Sequence, residues 1–263
     1  MIGHRLSFLK FCIDMIAILI ESDDFDFLIV NNKLQIDKKK YEEKYHHLIY
    51  ALRIKINDEI KLLDGNGRYI ISQVEAITKN YFELNLILFS DQNKDQNLIS
   101  SKNIDLILAC LKKEAFESAI RMIVECGIKN VYIYQTEYSQ PLQINEKRIE
   151  SIVHSSMEQS NNLFCPKITF IKNLDEINWN LYDKRFIFHL QKPGENFKNI
   201  SSKSQMSMIY AIGHEGGFSH NDLTDFTQNY SFESLTLDVP ILRAQTAVAT
   251  CYGYLLNLSS SIH

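Results

Sequence analysis

Cysteine is scarce and scattered in this chain: Cys12, Cys110, Cys126, Cys165 and Cys251 are odd in number and never fall in C-x-x-C spacing. That excludes a disulfide framework and a thiolate zinc site, both of which need paired or clustered thiols. Reduced thiols in a cytoplasmic protein fit the pattern. Eight histidines include the pair His46-His47, but neither H-x-x-x-H nor H-E-x-x-H occurs, so no metal is expected. Long hydrophobic runs are missing as well. No stretch reaches the roughly 18–20 apolar residues of a membrane helix, and no membrane partner is expected. Phe8 to Ile20 comes nearest, with His4 and Arg5 before it. Lys10 and Asp14 interrupt it, and acidic Glu21, Asp23 and Asp24 stand where a leader would carry a small-residue cleavage site. It reads as a buried strand or a poorly packed extension. An excess of positive charge is also absent: 28 Lys and Arg face 32 Asp and Glu, for a net charge of −4. Broad, non-specific grip on nucleic acid needs a basic surface. The total argues against that while leaving room for a local patch.

What the chain does have is core material. At 263 residues, 45% hydrophobic and 23% charged, it has the composition of a globular protein with a sizeable interior. The first third reads as short strands: Phe27–Val30, stopped by Asn31-Asn32; Glu59–Leu63; Tyr69 to Val74; and Tyr81 to Phe89. Asp64-Gly65 and Asn66-Gly67 between the second and third mark a hairpin, since glycine supplies the positive φ such turns demand. Tyr41 to Leu52 reads as helical. Together these suggest a small β-barrel-like domain over residues 1–90, with 1–26 as a possible extension. Residues 91–103 are polar and poor in apolar anchors, which marks a linker.

From Ile104 to the end, strands and helices alternate. Ile104–Leu108, Val131–Tyr134, Ile168–Ile171, Phe186–Leu190, Met208–Ile212 and Ser234–Leu237 are buried-type strands. Phe116, Ala119, Ile120, Ile123 and Val124 form one apolar helix stripe, with Gly127 as its left-handed stop. A second face is marked by Ile149, Ile152, Val153 and Met157, and a final helix by about Ile241 to Leu256. Such alternation predicts an α/β domain, residues 104–263, with a mainly parallel sheet covered on both faces.

Two short segments carry candidate chemistry. Ile212-Gly-His-Glu-Gly-Gly-Phe-Ser219 follows an apolar strand directly. Its three glycines permit close backbone approach, and Ser219 with Asp222 resembles a capping box. The spacing is neither G-x-G-x-x-G nor a P-loop. By pattern alone the segment is a tight structural turn or a ligand loop. In Leu237-Asp-Val-Pro-Ile-Leu-Arg-Ala-Gln-Thr-Ala247, Pro240 suits a first helical turn. Arg243 then falls in that turn, as an ordinary exposed arginine or as one reaching toward a ligand.

Together the two segments resemble the I-G-P-E-G-G-F-S and L-G-x-R-I-L-R-x-E-T-A motifs of the RsmE family, the 16S ribosomal RNA uridine-N3 methyltransferases. His46-His47-Leu48 through Leu52-Arg53, Asp58 and Asp64-Gly65 resemble that family's N-terminal signature. Glu125-Cys126-Gly127 and Glu158-Gln159-Ser160 resemble its E-L-G and E-Q-S elements. The matching order spans roughly residues 27 to 256.

The resemblance implies a small PUA-like β-barrel domain that binds RNA, followed by a SPOUT-type α/β domain with a deep trefoil knot. It also implies S-adenosylmethionine (SAM) as cofactor, a homodimer, and 16S ribosomal RNA or the small subunit as partner. Gly213, Glu215, Gly216, Leu237, Leu242 and Arg243 would surround the cofactor, with Leu190 at the end of the preceding strand. Arg243 is the expected electrostatic catalyst. Glu215 would accept a proton or fix the loop. Arg53 would contact RNA phosphate or form a surface ion pair, and His46 and His47 are expected to be structural. The chain departs from the family pattern at His214, Asp238, Pro240, Gln245, Asn162, Met122 and Tyr138, and several of these remove a cation. Two further readings follow: a SPOUT protein that binds RNA or aids assembly without turnover, and a methyltransferase acting at another RNA position.

Overall fold

The computed structural model describes residues 15–93, 103–139, 145–189 and 206–260. Leu190, Cys12 and most of the expected linker lie outside them. The chain divides into two compact units, one built from residues up to Ile99 together with Met157–Phe164, the other from the remainder.

The first unit holds a five-stranded sheet of order β1-β3-β4-β5-β2. Its strands are β1 (Ala17–Leu19), β2 (Lys33–Asp37), β3 (Glu59–Leu63), β4 (Arg68–Ile77) and β5 (Tyr81–Asp91). β1 runs parallel to β3 and the other pairs are antiparallel. Register shifts between Ile71/Ser72 and Val74/Ala76 bend the β4–β5 pair, as bulges do. The sheet curls into a PUA-like half-barrel whose edge strands β1 and β2 are not neighbours. Phe25, Leu28, Leu48, Ile60, Leu62 and Phe82 fill its concave side. The expected β3–β4 hairpin is present. Asp64 ties the turn, accepting from Asn66 N at 2.8 Å and Arg68 N at 3.0 Å.

One expectation is overturned here. Phe27–Val30 is not a strand but part of helix α1 (Ser22–Asn31). Phe25 and Leu28 are fully buried one turn apart, whereas Phe27 and Val30 are exposed. Asp23 and Asp24 favour the helix start, and Asn32 closes it in the left-handed region at φ 61, donating to the Leu28 carbonyl. Helix α2 (Glu42–His46) and the π-turn His47–Ala51 agree with the helical reading of Tyr41 to Leu52. His46 stacks on Tyr50 at 5.2 Å. Glu158 accepts from the Leu19 amide at 2.8 Å and from Lys44 Nζ at 2.7 Å, so this part of the E-Q-S element has structural partners.

In the second unit a six-stranded sheet is parallel throughout, in the order β11-β9-β10-β6-β7-β8. The strands are β6 (Ile104–Ala109), β7 (Asn130–Tyr134), β8 (Lys167–Ile171), β9 (Lys184–Phe188), β10 (Met208–Ile212) and β11 (Glu233–Leu235). Helices α3 (Lys113–Cys126), α4 (Glu146–Ser160), α5 (His220–Thr224) and α6 (Ala244–Ser260) complete the α/β arrangement. All of β6 and β10 is buried, as strands covered on both faces must be. The predicted α3 stripe is wholly buried, and Gly127 terminates the helix at φ 73. Phe116, Ile120, Ile123 and Val124 each contribute roughly 1.5–3 kcal/mol.

The last helix is shorter at its start than the sequence predicts. It begins at Ala244, so Pro240 lies outside it and Arg243 immediately precedes it, its carbonyl accepting from Ala247 N at 2.9 Å. The intervening residues serve as cleft wall instead. The fold is SPOUT-like. The segment 190–205, on which a knot would depend, lies outside the described residues.

Candidate functional site

Strand β10 is central, and its carboxyl end delivers the glycine turn. Parallel sheets expose ligand crevices at that end. Tyr210, buried in β10, donates its hydroxyl to the Val248 carbonyl at 3.0 Å, which fixes the strand to α6 directly behind the turn. Burial raises the Tyr210 phenol far above its ordinary value, so it remains a donor.

The turn itself is held from both sides. Gly217 N donates to the His214 carbonyl at 2.8 Å, and Gly216 N to His214 Nδ1 at 3.1 Å. Glu215 Oε1 accepts from Lys112 N at 3.1 Å, on the segment after β6. Its Oε2 lies 2.7 Å from His214 Nε2, close but out of hydrogen-bond alignment. Gly213 is buried, and a Cβ there would stand 3.0 Å from the Gly217 carbonyl carbon and 3.1 Å from Phe218 Cδ2. Any larger residue would require the turn to give by a few tenths of an ångström. Beyond it, the Ser219 hydroxyl accepts from Asp222 N at 3.0 Å and the Asp222 carboxylate from Ser219 N at 2.9 Å. That is the capping box expected from the sequence.

The turn and the segment 235–247 line one cleft of about 1070 Å³, the size of a small-molecule or cofactor site. Gly213, Glu215, Gly216, Leu237, Leu242 and Arg243 all line it. Arg243 is exposed, and among the described residues no ion pair holds its guanidinium. Arg53 belongs to the first unit, exposed and at φ 54. Cys251 also lines the cleft, and burial pushes its thiol up to about 12, so it is no nucleophile at neutral pH. Among the described residues no three His, Cys, Asp or Glu cluster as metal ligands would, and no helix is long and apolar enough to cross a membrane.

Sequence reasoning missed Lys112, Thr236 and His189, which line the same cleft. Each follows a strand that the sheet order places beside or near β10, and only that order reveals them. His189 is tied in by its carbonyl, which accepts from Thr236 Oγ1 at 3.1 Å. Burial holds its imidazole below the ordinary histidine value. The unfolded chain therefore takes up a proton near pH 6.5 that the folded chain refuses until lower pH, so this contribution to stability is present above about pH 6.5 and lost on acidification. We expect wild type to lose stability more steeply than His189→Gln between about pH 8 and pH 5.5 in urea titrations. Equal slopes would remove the role of burial.

The comparisons with known proteins agree with this geometry. The profile of the RNA methyltransferase domain matches residues 99–256, and that of the RNA methyltransferase PUA domain residues 41–87. The chain is 26% identical over 244 residues to a ribosomal RNA small subunit methyltransferase E of Rickettsia conorii, covering 90% of this chain and 97% of that protein. It is 35% identical over 150 residues to one from Mesomycoplasma hyopneumoniae, covering 54% of this chain and 64% of that one. The crystal structure of a ribosomal RNA small subunit methyltransferase E from Neisseria gonorrhoeae bound to S-adenosyl methionine superposes with a TM-score of 0.70 at 19% identity, over 93% of this chain and 98% of the other.

A parallel sheet that ends in a glycine turn over a cofactor-sized cleft, joined to a PUA-like half-barrel, defines an RNA methyltransferase of SPOUT-like fold. Motifs and length match one branch in particular. The chain belongs to the RsmE family.

Proposed function

We propose that the protein transfers the methyl group of SAM to N3 of one uridine in the 16S ribosomal RNA of the small subunit, acting as a cytoplasmic homodimer whose PUA-like unit binds RNA. The observation that carries the proposal is the shared cleft: the glycine turn and the Arg243 segment, separated by α5 and β11, form its walls. The residues present suit the cofactor, because Gly213, Gly216 and Gly217 line the cleft without a side chain and Leu237 and Leu242 supply apolar wall. SAM, when bound, supplies an electrophilic methyl that carries its own leaving group.

The chain's own task is to orient the uracil and favour loss of its N3 proton. Arg243, cationic and unpaired among the described residues, stabilises negative charge developing on the uracil carbonyls. Glu215 has one oxygen on Lys112 N and the other against His214. Those contacts support fixing the turn rather than accepting the substrate's proton. Ile241 and Val239, exposed apolar residues of the same segment, support the homodimer.

Mass spectrometry of 16S ribosomal RNA from cells with and without the gene tests the reading. One N3-methyluridine is expected to disappear. An unchanged modification map would defeat the uridine assignment. Absence of SAM binding by the folded protein in calorimetry would favour RNA binding without turnover.

A further inference from the structure

The loop after β7 carries an aromatic side chain that the chemistry above does not use. Tyr138 is 52% exposed. Its Cδ2 lies 3.9 Å from where a Gly216 Cβ would stand, on a glycine of the cofactor turn. A large exposed ring is unremarkable on a mobile tip, but residues 136–139 are pinned. Ser139 N donates to the Thr136 carbonyl at 3.0 Å, the Thr136 and Ser139 hydroxyls are 2.8 Å apart, and Thr136 is buried. Glu137 N donates to Asp222 Oδ1 at 3.3 Å, and Asn221 Nδ2 donates to Glu137 Oε2 at 3.0 Å. Glu137, next to Tyr138, is thus tied to the start of α5, the same element that ends the glycine turn. Tyr138 is held in place with its ring uncovered beside a cleft-lining residue.

Charge makes the placement informative. The cleft lining offers the basic side chains of Lys112 and Arg243 against the acidic ones of Glu114 and Glu215, and the whole chain carries a net charge of −4. Phosphate attraction is therefore a weak means of holding RNA at this opening. Aromatic stacking needs no charge, and each stacked base contributes roughly 1–3 kcal/mol whatever its sequence. We propose that Tyr138 is a positioning residue that stacks on an unpaired nucleobase of the RNA, one entering next to the acceptor uridine. The assignment rests on the RNA methyltransferase reading above.

The test is a titration of the full-length protein with a single-stranded RNA bearing the acceptor segment and 2-aminopurine beside the acceptor uridine. Wild type and Tyr138→Phe are expected to quench the fluorescence and to bind within about twofold of each other. Tyr138→Ala is expected to lose the quench and bind roughly tenfold more weakly. Its KM for RNA should rise while its SAM affinity and the salt dependence of RNA binding stay unchanged, which a merely structural role would not produce. Quench and affinity retained in Tyr138→Ala would overturn the proposal and leave the methyltransferase reading intact. A wild type that quenches but never transfers methyl would sink that reading and leave the stacking in place. No RNA binding by wild type would overturn both.

Discussion

Arg243→Ala is expected to slow methyl transfer by about 10²–10³-fold, the usual cost of removing one donor that stabilises a developing anion. Arg243 precedes α6, lines the cleft, is exposed and lacks an ion-pair partner among the described residues. Its removal therefore leaves no buried charge orphaned, and folding should survive. Two further readouts separate electrostatics from architecture. Arg243→Lys should recover part of the rate, because the charge returns without the planar fork. Raising the pH should narrow the gap between the alanine variant and wild type, since more uridine is then already deprotonated at N3. Single-turnover kinetics at saturating SAM measures each. An alanine variant with wild-type rate and unchanged SAM affinity would remove Arg243 from the chemistry.

The second large effect concerns Gly213. Gly213→Val is expected to weaken SAM binding at least tenfold and to cost about 1–3 kcal/mol of stability. The obstacles to a side chain here are the Gly217 carbonyl carbon, the Phe218 amide nitrogen at 3.2 Å and the Phe218 ring. None is the far end of a flexible chain, so the turn itself must open. Gly253, exposed in α6 with nothing within 4 Å of an added Cβ, provides the control. Gly253→Ala should bind SAM normally and gain up to about 1 kcal/mol from the lower entropy of the unfolded chain. Calorimetry and thermal unfolding check both. Normal SAM affinity in Gly213→Val would detach the glycine turn from the cofactor.

Much of the second unit was legible in the sequence for definite reasons. β6 and β10 are apolar throughout because both of their faces are covered, and α3 carries a full stripe ended by Gly127. The Ser219–Asp222 box was legible because capping is local chemistry. Phe27–Val30 was misread because four apolar residues do not distinguish strand from helix. The deciding facts were tertiary: which of them the curled sheet buries, and the left-handed turn at Asn32. The start of α6 was misplaced for a similar reason, since Val239, Pro240, Ile241 and Leu242 line the cleft ahead of the helix, which begins only at Ala244. In the site, the glycine turn and Arg243 were legible through their motifs. His189 and Lys112 were not, because nothing local says that β9 and β6 flank β10.

That sheet order also bears on how the chain is made. β6 bonds to β7 on one side and to β10 on the other, and β10 follows it by about 100 residues. During synthesis at roughly 5–20 residues per second, one edge of β6 remains an open template for on the order of 5–20 s before its proper partner exists. Such an edge invites pairing with another nascent chain. The cleft, lined by the last residue of β10 and the turn that follows it, is thus among the last features to form, and slowed translation before Met208 would lengthen the interval in which aggregation competes with completion of the sheet.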